Sequence, residues 1–378
     1  MSVETITLGC RLNFAESEAL KARAPDGTLI VNSCAVTNEA VRQTRQTIRR
    51  ARRERPDARI VATGCAVQLD PQAFRAMPEV DEVLTRDFSR PAVAAGFRQR
   101  VRSFVAVQTG CDHRCTFCTI WQARGPSVTL PYPAVRDAIA RELDAGAAEI
   151  VLTGVDITAV GGGLGQLCER LLRDLPNLAR LRLSSLDSME VDDALLALFA
   201  GEPRLLPHVH LSLQHGDDLI LKRMKRRHLR GDAIRLVERL KAARPELTVG
   251  ADLIAGFPTE SEEAATNTIR LLDDCRIVAA HVFPFSPRPN TPAARMPQLA
   301  PELVKARAGR LRQAAAERRS AWLNGLVGTI QPVLIENREK GHTDNFAPVF
   351  VAGSVRGQAG HARITGRTAD HLTGSFKE

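Results

Sequence analysis

At 378 residues, with 44% apolar and 25% charged side chains, the chain has the composition of a folded globular protein and length for two or three sections. No apolar run reaches the roughly 18 residues of a membrane span, and the start, MSVETITLGC, lacks the basic-then-apolar pattern of a secretory leader, so the expected location is the cytoplasm. A formal charge of +9 is compatible with an anionic partner without naming one.

From Thr5 to about Thr85, short apolar runs alternate with helical patterns: TITL, a helix from about Asn13, TLIVN, a long helix from Thr37, ARIVAT, a short helix from Asp70, and DEVLT. This alternation predicts a small α/β unit with a parallel sheet. Cys10, Cys34 and Cys65 each follow the C-terminal end of a predicted strand. In an open parallel sheet those ends share one edge, where ligands bind, so the three thiols are expected to converge. The alternative is three separate buried cysteines. In a reducing compartment, thiols serve as metal ligands, catalytic groups or core residues more readily than as disulfides.

A second alternation starts at SFVAVQTG and continues through EIVLTG, LARLRLSS, HVHLSLQ, LTVGADLIAG and VAAHVFPFS, with helical patterns between. Six β/α units predict a barrel, closed or open along one side, with chemistry at the C-terminal strand ends. Thr153 and Gly154, Ser184, Gln214 and Asp252 fall at or near such ends and are candidate cofactor-pocket residues. After the proline-rich break SPRPNTPAARMP, a basic helix from about Pro301 to Asn324 leads to short β segments, GTIQPVLIE, FAPVFVAG and HARITGRT, which predict a small antiparallel barrel. GGGLG at 161–165 lacks the Lys-Ser/Thr of a phosphate loop and reads as a flexible turn, while Cys168 and Cys275 lie in apolar helical contexts and read as core.

Basic residues concentrate in three runs: the arginines of VRQTRQTIRRARRERPDAR, the segment LKRMKRRHLR, and the helix from Lys305 to Arg319. Each is either a solvated helix face or an RNA contact. Arg124, Lys222, Arg223, Lys225, Arg226, Arg338 and Lys340 are the candidate RNA contacts.

The loop after the first barrel strand reads GCDHRCTFCTIWQ, with cysteines at 111, 115 and 118. Three thiolates on one short loop would fill three positions of a four-iron cubane and leave one iron free for a small molecule. Zinc, with His113 as fourth ligand, is the alternative.

The Cys-x3-Cys-x2-Cys spacing, with Phe117 before the last cysteine, resembles the signature of radical S-adenosylmethionine enzymes. TLGCRLNFAESE, VNSCAVTNEA, VATGCAVQ, VLTGVDI, RLRLSSLD, HLSLQHGDDLILKRMKRR, GADLIAGFPTESEE and HVFPFSPRPNTPAARMP are similar, in order, to motifs of the methylthiotransferases, and the best fit is the branch acting on threonylcarbamoyladenosine at position 37 of tRNA. The resemblance implies a flavodoxin-like N-terminal domain (1–97), a radical SAM partial (β/α)6 barrel with a linker helix (98–325), and a TRAM-like RNA-binding barrel (326–378). It implies a [4Fe-4S] cluster on Cys111, Cys115 and Cys118 that binds S-adenosylmethionine, with Phe117 beside the cofactor. A second [4Fe-4S] cluster on Cys10, Cys34 and Cys65 would handle sulfur. The implied partners are the tRNA anticodon loop and an electron donor, the implied state is a monomer, and no membrane is involved. Isopentenyladenosine in tRNA and an aspartate of a ribosomal protein are the rival substrates. A metal-containing RNA-binding protein without catalysis is the rival class. The sequence departs from the family pattern at Trp121, at Val128-Thr129 in place of Arg-Ser, at Asp187 and at Asn290, which bears on substrate preference more than on reaction type.

Overall fold

The computed structural model describes residues 2–87, 93–96 and 101–377; the expected boundary between residues 97 and 98 lies outside them. In the first section β1 (Glu4–Thr7), β2 (Thr28–Ser33), β3 (Arg59–Gly64) and β4 (Glu82–Val83) form a parallel sheet in chain order, rather than the flavodoxin order in which the first strand lies between the second and third. The helices are α1 (Arg11–Lys21), α2 (Asn38–Glu54), α3 (Cys65–Leu69) and α4 (Pro71–Arg75). Thr37 caps α2 by accepting from the Ala40 amide at 3.1 Å, and α2 buries Thr44, Ile48 and Ala51 against a core that includes Leu29, Val31, Ile60 and Phe74. The helix expected from Asp70 is preceded by α3, whose start at Cys65 depends on Gly64. That residue has φ +98°, and a Cβ there would lie 2.3 Å from the Ser33 amide.

The central section opens with β5 (Ala95–Gly96), which pairs antiparallel with β6 (Arg102–Ala106) and so joins the barrel sheet rather than the N-terminal one. The cysteine loop is folded between β7 (Gln108–Thr109), α5 (Ile120–Arg124) and β8 (Val128–Thr129). Thereafter come α6 (Tyr132–Asp144), β9 (Glu149–Thr153), α7 (Leu164–Asp174), β10 (Leu181–Leu183), β11 (Ser185–Leu186), α8 (Asp193–Gly201), β12 (His208–Gln214), α9 (Asp218–Arg223), α10 (Arg230–Ala243), β13 (Thr248–Ala255), α11 (Glu262–Asp274) and β14 (Ile277–Pro284). The third barrel strand is divided at Ser184: β10 pairs with β9, and β11 pairs with β12. The two sheets thereby join into the expected partial barrel of six parallel units. Leu211, Leu213, Val249, Ala251 and Leu253 pack with Leu236, Leu240 and Leu271 of the surrounding helices. The alternating residues His208, His210, Thr248, Asp252 and His281 therefore face inward. Cys168 and Cys275 are fully buried core residues.

The long helix α12 (Pro301–Gly325) lies along β14 and is fastened by Arg307 to Glu260 and Arg310 to Glu262, at 3.2 and 2.5 Å, and by Arg318 to Asp273. Its basic run is thus partly spent on the fold. The last section closes into a barrel of β15 (Ile330–Asn337), β16 (Lys340–Thr343), β17 (Pro348–Val351), β18 (Ala359–Arg367) and β19 (Leu372–Phe376). Its pairs are antiparallel except β17 with β19, which run parallel. The barrel seats on the N-terminal ends of the central strands, where Arg102 reaches Glu336 at 2.6 Å, Arg180 reaches Asp344 at 2.6 Å, and Thr248 donates to the Asn345 carbonyl at 2.6 Å. Phe346 is stacked between His208 and His342, with ring centroids 4.9 and 4.6 Å away. A cavity of about 620 Å³ lined by Lys241, Arg244, Trp322 and Asn345 lies at this same end, away from both cysteine trios.

Candidate active site

The central trio is built by a loop that only glycine can close. Gly110 has φ +75°, and a Cβ there would fall 1.7 Å from the Pro126 carbonyl oxygen. The Cys111 amide donates to Gly125 O at 3.1 Å, and Thr116 is clamped by the backbones of Met224, Arg223 and Ala293 at 2.8–3.0 Å. Burial pushes Cys111 up to about 12 and Cys118 to about 11, and the smaller contributions of neighbouring thiols to both show that Cys111, Cys115 and Cys118 lie close together. Thiols so placed are poor free nucleophiles and become thiolates when a metal supplies the compensating charge, which fits an iron-sulfur cluster. His113 Nε2 is 2.9 Å from Asp156, which also accepts from Thr158 at 2.7 Å, and Cys111, His113 and Asp156 bring their ligand atoms within 4.8 Å of one another, so the zinc alternative keeps a geometric basis at this loop. Phe117 packs in an apolar layer with Ile220, Met224, Ile254, Phe257 and Ala293.

Two residues expected to face RNA are found at the thiols instead. Arg226 places Nη1 3.6 Å from Cys115 Sγ and donates to Asp187 at 2.9 Å and Ser212 O at 2.8 Å; its side chain is 8% exposed. Arg124 is 2% exposed and binds Glu16 at 2.8 Å and Asn13 at 2.7 Å, beside the N-terminal trio. Both are therefore removed from the RNA-facing set, because burial with an acidic partner outweighs any surface role for these cations. Arg223 is half-buried and donates to Thr259 at 2.7 Å, while Lys222, Lys225, Arg338 and Lys340 are exposed. Arg42, Arg49, Arg50 and Arg52 on α2, Arg55 just after it and Arg59 on β3 pair with acidic neighbours.

The N-terminal trio converges as the parallel sheet requires. A Cβ on Gly9 would lie 3.0 Å from Cys34 Cβ and 3.3 Å from its Sγ, and Cys10, Cys34 and Cys65 are mutual electrostatic neighbours. Burial pushes Cys34 up to about 11 and raises Cys10, whose residue as a whole is exposed. Asn13 ties β1 to β2 by donating to Leu8 O and Ser33 O, at 3.1 and 2.9 Å. Arg86 binds Glu16 at 2.7 Å and places Nη1 3.9 Å from Cys65 Sγ. Burial opposes ionisation of Glu16, but Arg124 and Arg86 outweigh it and hold the carboxylate at about 2. These partners went unread in the sequence, although Asn13 and Glu16 stand three and six residues after Cys10 on one helix. Because α5 begins two residues after Cys118 and ends at Arg124, a single helical turn physically links the two trios.

The candidate pocket residues are dispersed. Thr153 is buried at the end of β9, and Ser184 at the strand junction. Gly154 packs on Gln108, whose carbonyl would lie 2.8 Å from a Cβ, and so serves close packing. Gln214 ends β12 with φ +66°. Asp252 lies within β13 rather than at its end, accepting from His210 at 3.0 Å and His281 at 3.2 Å. Burial works against its ionisation, yet these two imidazoles keep it well below the usual carboxylate range. Among the departures from the family pattern, Val128-Thr129 forms β8, Trp121 stacks under Arg114 at 4.3 Å, and Asn290 takes φ +66°.

A three-cysteine loop at the mouth of a partial (β/α)6 barrel defines a radical S-adenosylmethionine enzyme. Residues 105–272 match the Radical SAM superfamily, and residues 2–85 match Uncharacterized protein family UPF0004. The chain is 40% identical to the threonylcarbamoyladenosine tRNA methylthiotransferase MtaB of Rickettsia prowazekii, over 92% of this chain and 90% of the relative. It is 33% identical to MtaB of Thermotoga maritima, over 89% and 86%. It is 31% identical to the tRNA-2-methylthio-N(6)-dimethylallyladenosine synthase of Erythrobacter litoralis, over 88% and 86%. Among solved structures, the radical S-adenosylmethionine methyltransferase TsrM of Kitasatospora setae shares the fold, with TM-score 0.54 at 15% identity over 75% of this chain and 74% of that one. The chain belongs to the MtaB family of radical SAM tRNA methylthiotransferases.

Proposed function

We propose that the protein adds a methylthio group to C2 of N6-threonylcarbamoyladenosine at position 37 of tRNA. The observation that carries this reading is the identity of 40% to a protein of that activity along 92% of the chain, with both cysteine trios in place. One [4Fe-4S] cluster would be held by Cys111, Cys115 and Cys118, and a second by Cys10, Cys34 and Cys65. When bound, the clusters and S-adenosylmethionine supply the radical that removes the C2 hydrogen and the methylated sulfur that replaces it.

The chain's own residues bind, orient and exclude. Arg226 and Arg86 offer N–H groups to cysteine sulfurs, which lowers the charge the thiolates present and favours reduction of whatever they hold. Phe117 and its apolar neighbours keep water from the inner side of the loop. Lys222, Lys225, Arg338 and Lys340 are the exposed cations that remain for the anticodon stem and loop. Residues 1–97 act as the sulfur-handling domain, 98–325 as the radical domain and 326–378 as the RNA-binding barrel. The protein works as a cytoplasmic monomer fed by an external electron donor. No helix among the described residues is long and apolar enough to cross a membrane.

Digested tRNA from cells with and without the protein tests the substrate. Loss of the methylthiolated threonylcarbamoyladenosine is expected, and an unchanged signal refutes the assignment. Because a dimethylallyladenosine synthase is also 31% identical, loss of methylthiolated isopentenyladenosine instead would establish that second reading.

A further inference from the structure

Below the apolar layer that holds Phe117, the inner face of the barrel carries a polar group of side chains separate from both cysteine trios. Ile254 of β13 and Phe283 of β14 belong to that layer and are partners in register. Two residues earlier on the same strand faces stand Asp252 and His281, likewise partners, and His210 reaches Asp252 from β12 on its other side. Alternate strand residues are about 6.6 Å apart. The group therefore sits one side-chain layer beneath the cysteine loop and is not part of it.

The geometry is that of a metal-ligand set. Nε2 of His210 lies 3.0 Å and Nδ1 of His281 3.2 Å from Oδ1 of Asp252, and the three residues bring their ligand atoms within 4.8 Å of one another. Two donors held at about 2.0–2.1 Å from one cation are about 2.9–3.4 Å apart, across angles from octahedral to tetrahedral. Both N···O separations thus suit a shared ion without rearrangement. Two imidazoles and one carboxylate are also the donor types of mononuclear zinc and iron(II) sites. The backbone makes room for the set: a Cβ on Gly250 would lie 2.6 Å from His210 Nδ1, so only glycine lets this ring lie against β13 with Nε2 turned to Asp252. Side-chain exposure rises from 10% at His210 through 24% at Asp252 to 64% at His281. The set is anchored in the wall and opens at β14, the end strand of its sheet, where an ion has access.

We propose that His210, Asp252 and His281 bind a divalent cation of the zinc class, in addition to whatever the cysteines hold. Three protein ligands leave a fourth position, on the solvent-reached side of His281, for water or a ligand oxygen. To test this, the anaerobically reconstituted holoenzyme is incubated with excess Zn2+, desalted, and analysed for zinc, iron and sulfide. About one zinc per chain should be retained, and its X-ray absorption spectrum should show nitrogen and oxygen at about 2.0–2.1 Å with no sulfur near about 2.3 Å. His281→Ala removes a ligand at the exposed end of the set and should weaken zinc binding by at least about a hundredfold in competition with a chromogenic chelator, as should Asp252→Asn. Iron and sulfide should stay at the wild-type level in both variants. A holoenzyme that retains no zinc overturns the proposal, and so does zinc binding undiminished in His281→Ala. Sulfur among the zinc neighbours overturns it as well, because Cys111, His113 and Asp156 of the cysteine loop are the other set of donors within reach of one ion. If Asp252→Asn lowers the iron content, His281→Ala and the wild-type spectrum decide.

Discussion

Replacing Glu16 by Gln should weaken the join between the two cysteine trios, in a pH-dependent way. Glu16 is 21% exposed in its side chain and is the anion for both Arg124 and Arg86. Its carboxylate is held at about 2 against an ordinary 4.5. At about 1.4 kcal/mol per pH unit, discounted for that exposure, it contributes about 2–3 kcal/mol at neutral pH. A depressed carboxylate pKa gives stability that is complete above the unfolded value and is lost as pH falls toward the folded one. The gap between wild type and Glu16→Gln should therefore be about 2–3 kcal/mol at neutral pH and shrink to about 1 kcal/mol near pH 3. Urea unfolding of the metal-free chain, followed by Trp121 fluorescence on α5, measures it close to the join. A gap that is absent at neutral pH, or that stays constant on acidification, would refute the assignment of this pair as a charged strut.

Cys111→Ala should abolish deoxyadenosine formation from S-adenosylmethionine and lower the iron content of reconstituted protein from about eight to about four per chain. Iron analysis and chromatography of the quenched reaction check both figures. Gly110→Ala forces a methyl into the Pro126 carbonyl and should lose the iron of the central trio while keeping that of the N-terminal trio, as read from spectra of the Gly110→Ala, Cys65→Ala pair. Glu149→Gln removes the anion shared by three arginines at a fully buried position and should cost about 3–5 kcal/mol, seen as a lowered unfolding midpoint.

Much of the site was legible because cysteines after strand ends are fixed by topology. Once Cys10, Cys34 and Cys65 terminate adjacent parallel strands, the sheet brings them together whatever the loops do. The strands themselves follow from β-branched and apolar runs, and the six-unit barrel from their alternation with helices. Arginine direction was not legible. Arg226 reads as a member of a basic run and Arg124 as an RNA contact beside the cysteine loop, but each turns inward because a carboxylate distant in sequence, Asp187 or Glu16, waits at a thiol. The same limit hid the Asp252 cluster: its histidines come from two neighbouring strands and meet it only through register. The parallel pair β17 and β19 was equally hidden, since strand direction in a small barrel is set by the connecting turns and not by the alternation within each strand.

Phe346, wedged between His208 and His342 with Arg102 and Arg182 over its ring at 5.0 and 4.7 Å, stoppers the far end of the barrel. The end of the barrel opposite the cysteine loop is therefore filled by aromatic and charged side chains, so a molecule held by the thiols at the rim has a packed wall behind it and is approached from the rim or from the side on which the barrel is not closed.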